Sequence, residues 1–238
     1  MRASGRPFGA HGNEPPTLAA VAAALPARGE QCAPWGGPSA RMMIATADIT
    51  GIVLAGGQGR RMGNVDKGFV EFDGRPLVAH VIARLAPQVA TIVINANRNA
   101  DRYAAFGYPV VGDAIGGYAG PLAGLHAGLS TAATQFVVTS PCDSPFLAGD
   151  LVARLAAAFD ERPIDIAVAR TFDQPHPVFA LVRRSLLPHL ARFLKGGGRK
   201  IDAWYGSLPV AEVKFDDEAD AFRNINTPAE LAQSTPAH

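Results

Sequence analysis

The sequence is poor in features that mark several large classes of protein. Its 238 residues include only two cysteines, Cys32 and Cys142, and no Cys-x-x-Cys pair, which argues against a disulfide scaffold or a zinc site. The formal net charge is +1, so no overall field attracts nucleic acid or an acidic membrane. No run approaches 18 uninterrupted apolar residues, so no transmembrane helix is predicted. We therefore expect a reduced, cytoplasmic protein whose partners are neither nucleic acids nor membranes.

Several common catalytic and nucleotide-binding motifs are missing as well. No Gly-Lys pair occurs, which excludes a P-loop. The dinucleotide fingerprint Gly-x-Gly-x-x-Gly fails on spacing, because counting from Gly57 places Met62 where glycine is required and the glycine arrives at Gly63. The histidines show no metal-ligand spacing, and no Gly-x-Ser-x-Gly elbow is present. Zinc hydrolysis, dinucleotide redox chemistry and serine hydrolysis therefore receive no support.

What the chain does contain is a glycine-rich, cationic loop directly after a short apolar strand that ends at Ala55. The loop holds Gly56, Gly57, Gly59 and Gly63, with Arg60, Arg61 and Lys67 spaced through it. Glycines let a backbone adopt φ > 0 and approach a ligand closely, and successive free N–H groups form an anion-binding concavity. Three cations beside such a concavity suit a polyphosphate better than a neutral metabolite. We interpret the loop as a nucleoside triphosphate site, and a flexible turn with solvated arginines is the alternative.

Apolar strand patterns alternate with helical patterns along the rest of the chain. Strands are predicted at 68–72, 91–94, 110–111, 135–139, 164–169, 178–182 and 210–215, and helices at 76–85, 121–130, 144–159 and 185–194. A capping box with proline at the first helical position, residues 227–230, predicts a last helix. This alternation implies right-handed βαβ crossovers and a mainly parallel sheet. The fold class is therefore α/β, a Rossmann-like doubly wound sheet in a three-layer α/β/α arrangement.

The first 48 residues differ from the remainder in composition. Prolines at 15, 16, 26, 34 and 38 punctuate a segment rich in glycine and alanine. We predict that residues 1–48 are a disordered N-terminal extension, or result from an over-extended gene start because Met42 and Met43 stand just before the fold. A folded accessory arm is the alternative. Residues 49–238 are predicted to form a single domain.

Polar residues follow the predicted strands at the edge where ligands of such sheets bind. Asn95 and Asn97 follow one strand, Asp113 follows the next, and Asp143 follows a third within Pro-Cys-Asp-Ser-Pro. Mg²⁺ takes one or two carboxylates together with phosphate oxygens and waters, so Asp143 is a candidate metal ligand. Asp113 is a second candidate carboxylate, a nucleotide contact or a structural turn residue.

Two further residues invite a chemical interpretation. His176 lies between two prolines, which makes it too isolated for a metal cluster, and it is predicted either to contact the substrate or to pack in a turn. Cys142 adjoins Asp143 but has no neighbouring histidine in sequence, so we interpret it as a packing residue.

An ordered set of motifs over roughly residues 50–232 closely resembles the molybdenum cofactor guanylyltransferases. The matching stretches are Leu54-Ala-Gly-Gly57, Arg60-Arg-Met-Gly63, Asp66-Lys-Gly68, Asn95-Ala-Asn-Arg98, Gly120-Pro-Leu-Ala-Gly124, Pro141-Cys-Asp143, His176-Pro177 and Asn224-Ile-Asn-Thr-Pro228. The glycine loop alone is shared by many nucleotidyltransferases, whereas the whole ordered set is specific. Two departures are Asn64, where the family often has glycine, and the N-terminal segment of about 42 residues, which has no family counterpart.

The resemblance implies a sheet of the nucleotidyltransferase type and an enzyme that transfers GMP from GTP to the terminal phosphate of molybdopterin, releasing pyrophosphate. It implies GTP contacts from Leu54, Ala55, Gly56, Gly57, Lys67, Asn95 and Asp113. Asp143 would hold Mg²⁺, and Asn224 and Asn226, with Arg61, would face the pterin. The implied catalytic residues are Lys67, Arg61 and Asp143. Molybdenum cofactor assembly proteins and molybdoenzyme chaperones are candidate partners.

Three rival functions stay open at this level. The first is another nucleotidyltransferase, either a molybdopterin cytidylyltransferase or a sugar-phosphate enzyme. The cytidine enzymes tend to have Ala-Ala-Gly where Ala55-Gly56-Gly57 stands, and glycine at position 56 leaves more room for a purine. The second is a non-catalytic nucleotide-binding protein, which would not need Asp143. The third is a Rossmann oxidoreductase, which the glycine spacing disfavours.

Overall fold

The computed structural model describes residues 43–55, 66–115, 120–225 and 230, all of which belong to the unit Arg41–His238. Several predictions fall outside these residues and stay predictions. They concern the N-terminal segment up to residue 42, the loop residues Gly56, Gly57 and Arg61, the pterin-side Asn226, and all but the last residue of the capping box at 227–230.

The described residues form nine strands and six α-helices. The strands are β1 (Ile49–Leu54), β2 (Glu71–Phe72), β3 (Arg75–Pro76), β4 (Thr91–Asn95), β5 (Val110–Val111), β6 (Phe136–Pro141), β7 (Ile166–Thr171), β8 (Gln174–Arg183) and β9 (Val210–Lys214). The helices are α1 (Leu77–Leu85), α2 (Ala100–Ala104), α3 (Pro121–Thr131), α4 (Leu151–Glu161), α5 (Leu187–Lys195) and α6 (Ile201–Tyr205). Short 3-10 turns include Lys67–Phe69 and Asp216–Phe222.

Seven of the strands form one sheet in the order β5-β4-β1-β6-β8-β7-β9, and β2 and β3 form a separate hairpin. Four of the six pairings in the large sheet are parallel, whereas β8 runs antiparallel to both β6 and β7. The central strands are buried along most of their length, as expected for parallel strands covered on both faces. The predicted mainly parallel sheet is confirmed, with one inserted antiparallel strand.

Helices cover both faces of the sheet, so the three-layer arrangement is confirmed. On one face, α1 and α4 bury Val78, Val81 and Leu155 in a cluster with strand residues such as Val53 and Ile94. On the other, α3, α5 and α6 bury a second cluster that includes Leu125 and Trp204. Across the described residues, no helix is long and apolar enough to cross a lipid bilayer.

Two of the element boundaries that were predicted wrongly lie close in sequence to Lys67 and Asp143, and each has a structural cause. The predicted strand 68–72 is instead a 3-10 turn, Lys67–Phe69, followed by the two-residue β2, because the Asp66 carboxylate accepts a hydrogen bond from the Gly68 N–H. The helix predicted from residue 144 begins at Leu151, because the Ser144 hydroxyl donates to Asn224 Oδ1 at 2.5 Å instead of capping a helix.

Candidate functional site

The carboxyl ends of β1, β4 and β6 meet at one edge of the sheet. Leu54 is in register with Asn95 on one side and with Pro141 on the other. The pairing continues one residue further, since the Ala55 N–H donates to the Asn95 carbonyl at 2.8 Å and the Cys142 N–H donates to the Leu54 carbonyl at 3.1 Å. Leu54, Ala55, Asn95 and Asp143 therefore lie at the same edge of the sheet, as predicted from their positions at the ends of the strands.

Asn95, Asn97 and Asp113 form a hydrogen-bonded cluster at this edge. The amide nitrogens of Asn95 and Asn97 donate to the two carboxylate oxygens of Asp113 at 3.0 and 2.7 Å. In return, the Asp113 N–H donates to Asn97 Oδ1 at 2.8 Å. Neutral donors fix the carboxylate without cancelling its charge, and each oxygen can accept further bonds. The cluster can therefore accept hydrogen bonds from hydroxyl or N–H groups of a nucleoside.

Helix α3 lies against this cluster through a glycine. A Cβ atom at Gly124 would lie closer than 3.0 Å to the Asn95 side-chain oxygen and 2.6 Å from Leu54 Cδ2. At the start of the helix, Gly120 has φ 61° and ψ −150°, a conformation open essentially to glycine alone. The two glycines of the Gly-Pro-Leu-Ala-Gly motif thus allow the helix turn and its close approach to the site.

Lys67 and Asp143 form an ion pair across the same edge. Lys67 Nζ lies 3.1 Å from Asp143 Oδ2, with 23% and 11% of the two side chains exposed. The backbone of Asp143 is fixed as well, because the Asp143 carbonyl accepts a hydrogen bond from the Ile225 N–H at 2.9 Å. The Ser144–Asn224 hydrogen bond places Asn224, predicted to face the pterin, beside the loop that carries Asp143. The pair brings a cation and a carboxylate, both predicted as catalytic, into direct contact.

The donor set fits a Mg²⁺ ion that is held mainly by its substrate. In the part of the chain that the structure describes, no three His, Cys, Asp or Glu side chains gather as a metal cage. Mg²⁺ in nucleotide sites usually takes one or two carboxylates, phosphate oxygens and waters. The oxygen chemistry of Asp143, at a strand end and with only one oxygen bonded to Lys67, satisfies that requirement.

The backbone next to Lys67 is held by Asp66, which the sequence analysis named only as part of a matching motif, and by Asn99 and Tyr103, which it did not name. Asp66 Oδ1 accepts hydrogen bonds from the Tyr103 hydroxyl at 2.5 Å and from the Gly68 N–H at 3.2 Å. Asp66 Oδ2 accepts from the Asn99 amide at 2.8 Å. Only Asp66 carried a sequence signal, since aspartate two residues before glycine is typical of a turn. Tyr103 and Asn99 carried none, because their partner is more than thirty residues away.

Cys142 and His176 both pack instead of joining a catalytic group. Cys142 is buried, and burial raises the pKa of its thiol far above the ordinary value, which confirms the packing interpretation. The His176 ring stacks on Phe222 with centroids 4.7 Å apart and shares a hydrogen bond with Thr171 Oγ1 at 2.7 Å. Burial lowers the pKa of His176, so its ring is neutral at pH 7. Of the two predicted roles, the described contacts favour turn packing.

Comparisons with known proteins identify sequences similar to this chain. Residues 51–209 match the family model of the MobA-like NTP transferase domain. A molybdenum cofactor guanylyltransferase from Ralstonia nicotianae is 51% identical over 200 residues, covering 80% of this chain and 98% of the relative. The protein of the same name from Cupriavidus necator is 53% identical over 194 residues, covering 79% and 97%.

Solved structures share the fold. Molybdopterin-guanine dinucleotide biosynthesis protein A from Archaeoglobus fulgidus superposes with a TM-score of 0.65 at 27% identity, covering 77% of this chain and 95% of its own. The 4-diphosphocytidyl-2C-methyl-D-erythritol synthase from Anaerococcus prevotii reaches 0.60 at 11% identity, covering 79% and 97%. At that identity the second likeness concerns the fold alone.

Proposed function

The chain belongs to the MobA-like NTP transferase family, and from this premise we propose that it transfers GMP from GTP to the terminal phosphate of molybdopterin. The products are the molybdopterin guanine dinucleotide cofactor and pyrophosphate. The observation that carries the proposal is the placement of a fixed carboxylate, Asp113, and a Lys67–Asp143 pair at one sheet edge of such a chain. The Asp113 carboxylate is suited to accept hydrogen bonds from the nucleoside, and the Lys67–Asp143 pair is suited to bind the phosphates.

The reaction is a displacement at the α-phosphorus of GTP. An oxygen of the molybdopterin phosphate forms a bond to the α-phosphorus. The bond between the α-phosphorus and the oxygen that bridges it to the β-phosphorus breaks. The electron pair of the broken bond leaves with pyrophosphate. A phosphate monoester has a second pKa of about 6, so the attacking oxygen is largely ionised at neutral pH. No side chain needs to remove a proton, in keeping with a site whose described histidine, His176, is a packing residue.

The main obstacle is the repulsion between two polyanions. At about 4 Å, two unit charges repel by roughly 4 kcal/mol with an effective dielectric constant near 20. We propose that Lys67 offsets this repulsion and stabilises the charge that builds up on pyrophosphate. The ion pair with Asp143 is partly exposed, and such pairs contribute only about 0–1 kcal/mol. Lys67 can therefore exchange the carboxylate for a phosphate oxygen at little cost.

We propose that Asp143, once Lys67 has turned to the nucleotide, holds Mg²⁺ together with the triphosphate. The bound metal would neutralise phosphate charge and polarise the phosphorus that is attacked. Arg61, Gly56 and Gly57 are proposed to complete the phosphate site, and Asn224 and Asn226 the pterin side, on the family resemblance. In each case, we propose that the residue has the role that the resemblance to the family implies for its position.

We also propose a cytoplasmic setting. Cys142 is a free, buried thiol, which is compatible with a reducing compartment. Cofactor assembly proteins and molybdoenzyme chaperones are proposed as partners because the product must be passed on to other proteins.

The test is an assay of the purified full-length chain with molybdopterin, Mg²⁺ and either labelled GTP or labelled CTP. We expect pyrophosphate and the guanine dinucleotide with GTP, no product with CTP, and no turnover when a chelator removes the metal. Exclusive use of CTP would contradict the guanine specificity. Turnover that survives chelation would contradict the role of Mg²⁺, and no pyrophosphate release with either nucleotide would indicate a binding protein instead of an enzyme.

A further inference from the structure

A network of hydrogen bonds joins the residue before Lys67 to the segment after β4. We propose that Asp66, Asn99 and Tyr103, here called the Lys67 clamp, are positioning residues that set the location of the Lys67 ammonium group during nucleotidyl transfer. The inference rests on the proposed function, because it concerns how Lys67 performs its role there. None of the three residues needs to contact the substrate.

The clamp holds Asp66 through both of its carboxylate oxygens. One carboxylate oxygen receives the Tyr103 hydroxyl and the Gly68 N–H, and the other receives the Asn99 amide. Tyr103 is fully buried, and burial together with the neighbouring Cys142 and Asp66 raises the pKa of its phenol far above the ordinary value. The phenol therefore stays protonated and always acts as the donor.

The residues that follow Lys67 in sequence also contact helix α2, which carries Arg102 and Tyr103. The centroid of the Phe69 ring lies 4.5 Å from that of the Tyr103 ring. On the Phe69 ring, the Arg102 guanidinium carbon lies 3.7 Å from the ring centroid. Gly68 leaves no room for a side chain, because a Cβ there would lie closer than 3.0 Å to the Tyr103 hydroxyl oxygen. The residues on both sides of Lys67 are thus attached to α2, so its backbone has little freedom and only the side chain can move.

One continuous segment holds both ends of the nucleotide site. Asn95 and Asn97 bind Asp113, and Asn99 and Tyr103 bind Asp66. Asn99 itself has φ 54°, a left-handed conformation that asparagine tolerates better than most residues. The distance from the Asp113 carboxylate to the base of Lys67 is therefore set by residues 95–103. A long lysine side chain that must meet a transferring phosphate needs such a fixed origin, since a misplacement of about 1 Å can cost about 100-fold in rate.

Two variants remove single clamp bonds with little other change. Tyr103→Phe deletes only the phenol hydroxyl, and Asn99→Gly deletes the amide while keeping the left-handed backbone available. We expect each to lower kcat by about 10- to 100-fold, with the KM for GTP changed by less than about 3-fold, because ground-state binding is shared with Asp113 and the rest of the site. Tyr108→Phe is the matched control, since no hydrogen bond is described for that hydroxyl, and it should leave kcat unchanged.

A mutant cycle with Lys67→Ala separates positioning from general structural support. If the clamp acts through Lys67, then Tyr103→Phe in the Lys67→Ala background should reduce the residual kcat by less than about 2-fold. A residue that merely supports the fold would reduce kcat by the same factor in both backgrounds. Equal factors, or an unchanged kcat in both single variants, would overturn the inference.

A reciprocal exchange gives a second, independent test. Asp66→Asn alone replaces one of the two acceptor oxygens of Asp66 with an amide donor, and it should lower kcat like the clamp variants. Combining Asp66→Asn with Asn99→Asp restores a donor–acceptor pair and should recover at least part of kcat, whereas no recovery would count against the inference. Thermal unfolding of every variant verifies that the chain is folded at the assay temperature. Absence of turnover by the unsubstituted chain with either GTP or CTP would instead contradict the proposed function and remove the inference with it.

Discussion

Lys67 and Asp143 are separated by 76 positions in sequence, yet their charged groups touch. Each could be predicted separately, because a lysine closing a glycine-rich loop and an aspartate closing an apolar strand are both local patterns. Their mutual ion pair could not, since it joins two residues that are far apart in sequence. The same limit explains why Tyr103 was missed: a tyrosine within a short helix resembles any core residue until its hydroxyl partner is known.

At the scale of single residues, the first prediction concerns Lys67→Ala. Removing a preorganised cation from the site of developing charge should lower kcat with GTP by about 100- to 1,000-fold. The unfolding free energy should change by less than about 1 kcal/mol, because the ion pair it belongs to is partly exposed. Steady-state pyrophosphate release and urea unfolding measure the two quantities.

A matched control is Lys195→Ala on the exposed side of α5, which deletes the same group away from the sheet edge. It should leave turnover unchanged. Normal synthesis of the guanine dinucleotide by Lys67→Ala would show that the proposed role of this lysine is wrong.

At the scale of elements, α3 shows why particular glycines stand in the sequence. Gly124 faces Asn95 and Leu54, and one turn later Gly128 faces Ile52. In both cases an added Cβ would overlap the side chain of a strand residue, so the helix can approach β1 and β4 only through glycine. The Gly-Pro-Leu-Ala-Gly motif is therefore a packing requirement that also keeps Asn95 in place.

The corresponding prediction is that Gly124→Ala damages the site and the packing together. The extra methyl group should cost about 1–3 kcal/mol by overpacking, partly offset by about 1 kcal/mol of better helix propensity, and displacement of Asn95 should raise the KM for GTP. Gly149→Ala is the control, because nothing lies within 4 Å of a Cβ built there and its φ is not positive. Urea unfolding and initial rates provide the measurements. A Gly124→Ala protein with unchanged KM would mean that α3 can shift without moving Asn95.

Element types were more predictable than their ends and directions. Buried strands such as Thr91–Asn95 can be predicted from the β-branched residues on both of their faces. The direction of β8 was not recognised, although only Phe172 and Asp173 separate it from β7, a connection that can join only antiparallel strands. The predicted strand ends left too long a gap there, which hid the hairpin.

At the scale of the whole molecule, charge is balanced and anion binding is local. The formal charge of +1 gives no general attraction for a polyanion. Recognition of a triphosphate must therefore come from side chains and backbone that the fold gathers at one sheet edge. That gathering was predictable, because the carboxyl ends of parallel strands meet at one edge of a sheet. The spacing between the gathered groups follows from long-range hydrogen bonds that sequence patterns do not reveal.

Two histidines make the stability of the molecule depend on pH. Burial lowers the pKa of His176, and burial followed by the charge of Lys195 lowers the pKa of His126. The unfolded chain then binds more protons than the folded one as the pH falls below about 6.5, the ordinary histidine value. Stability is therefore highest above that value and declines as the pH falls through it. We expect a lower urea midpoint at pH 5.5 than at pH 7.5.

His176→Gln identifies the source of this decline. The variant lacks one of the two groups, so the difference between its midpoints at the two pH values should be smaller than for the unsubstituted chain. An undiminished difference would assign the pH dependence elsewhere.

The stretch from Asn95 to Tyr103 has a consequence for how this chain can diverge. Its alternating asparagines hold Asp113 at one end and Asp66 at the other. Inserting or deleting a single amino acid within it would therefore change the distance between the groups proposed to bind the nucleoside and the phosphates. Only a few positions downstream, Gly107 sits in an open turn where a side chain would meet nothing within 4 Å. Natural length variation should accordingly collect at that turn and avoid the nine positions from 95 to 103.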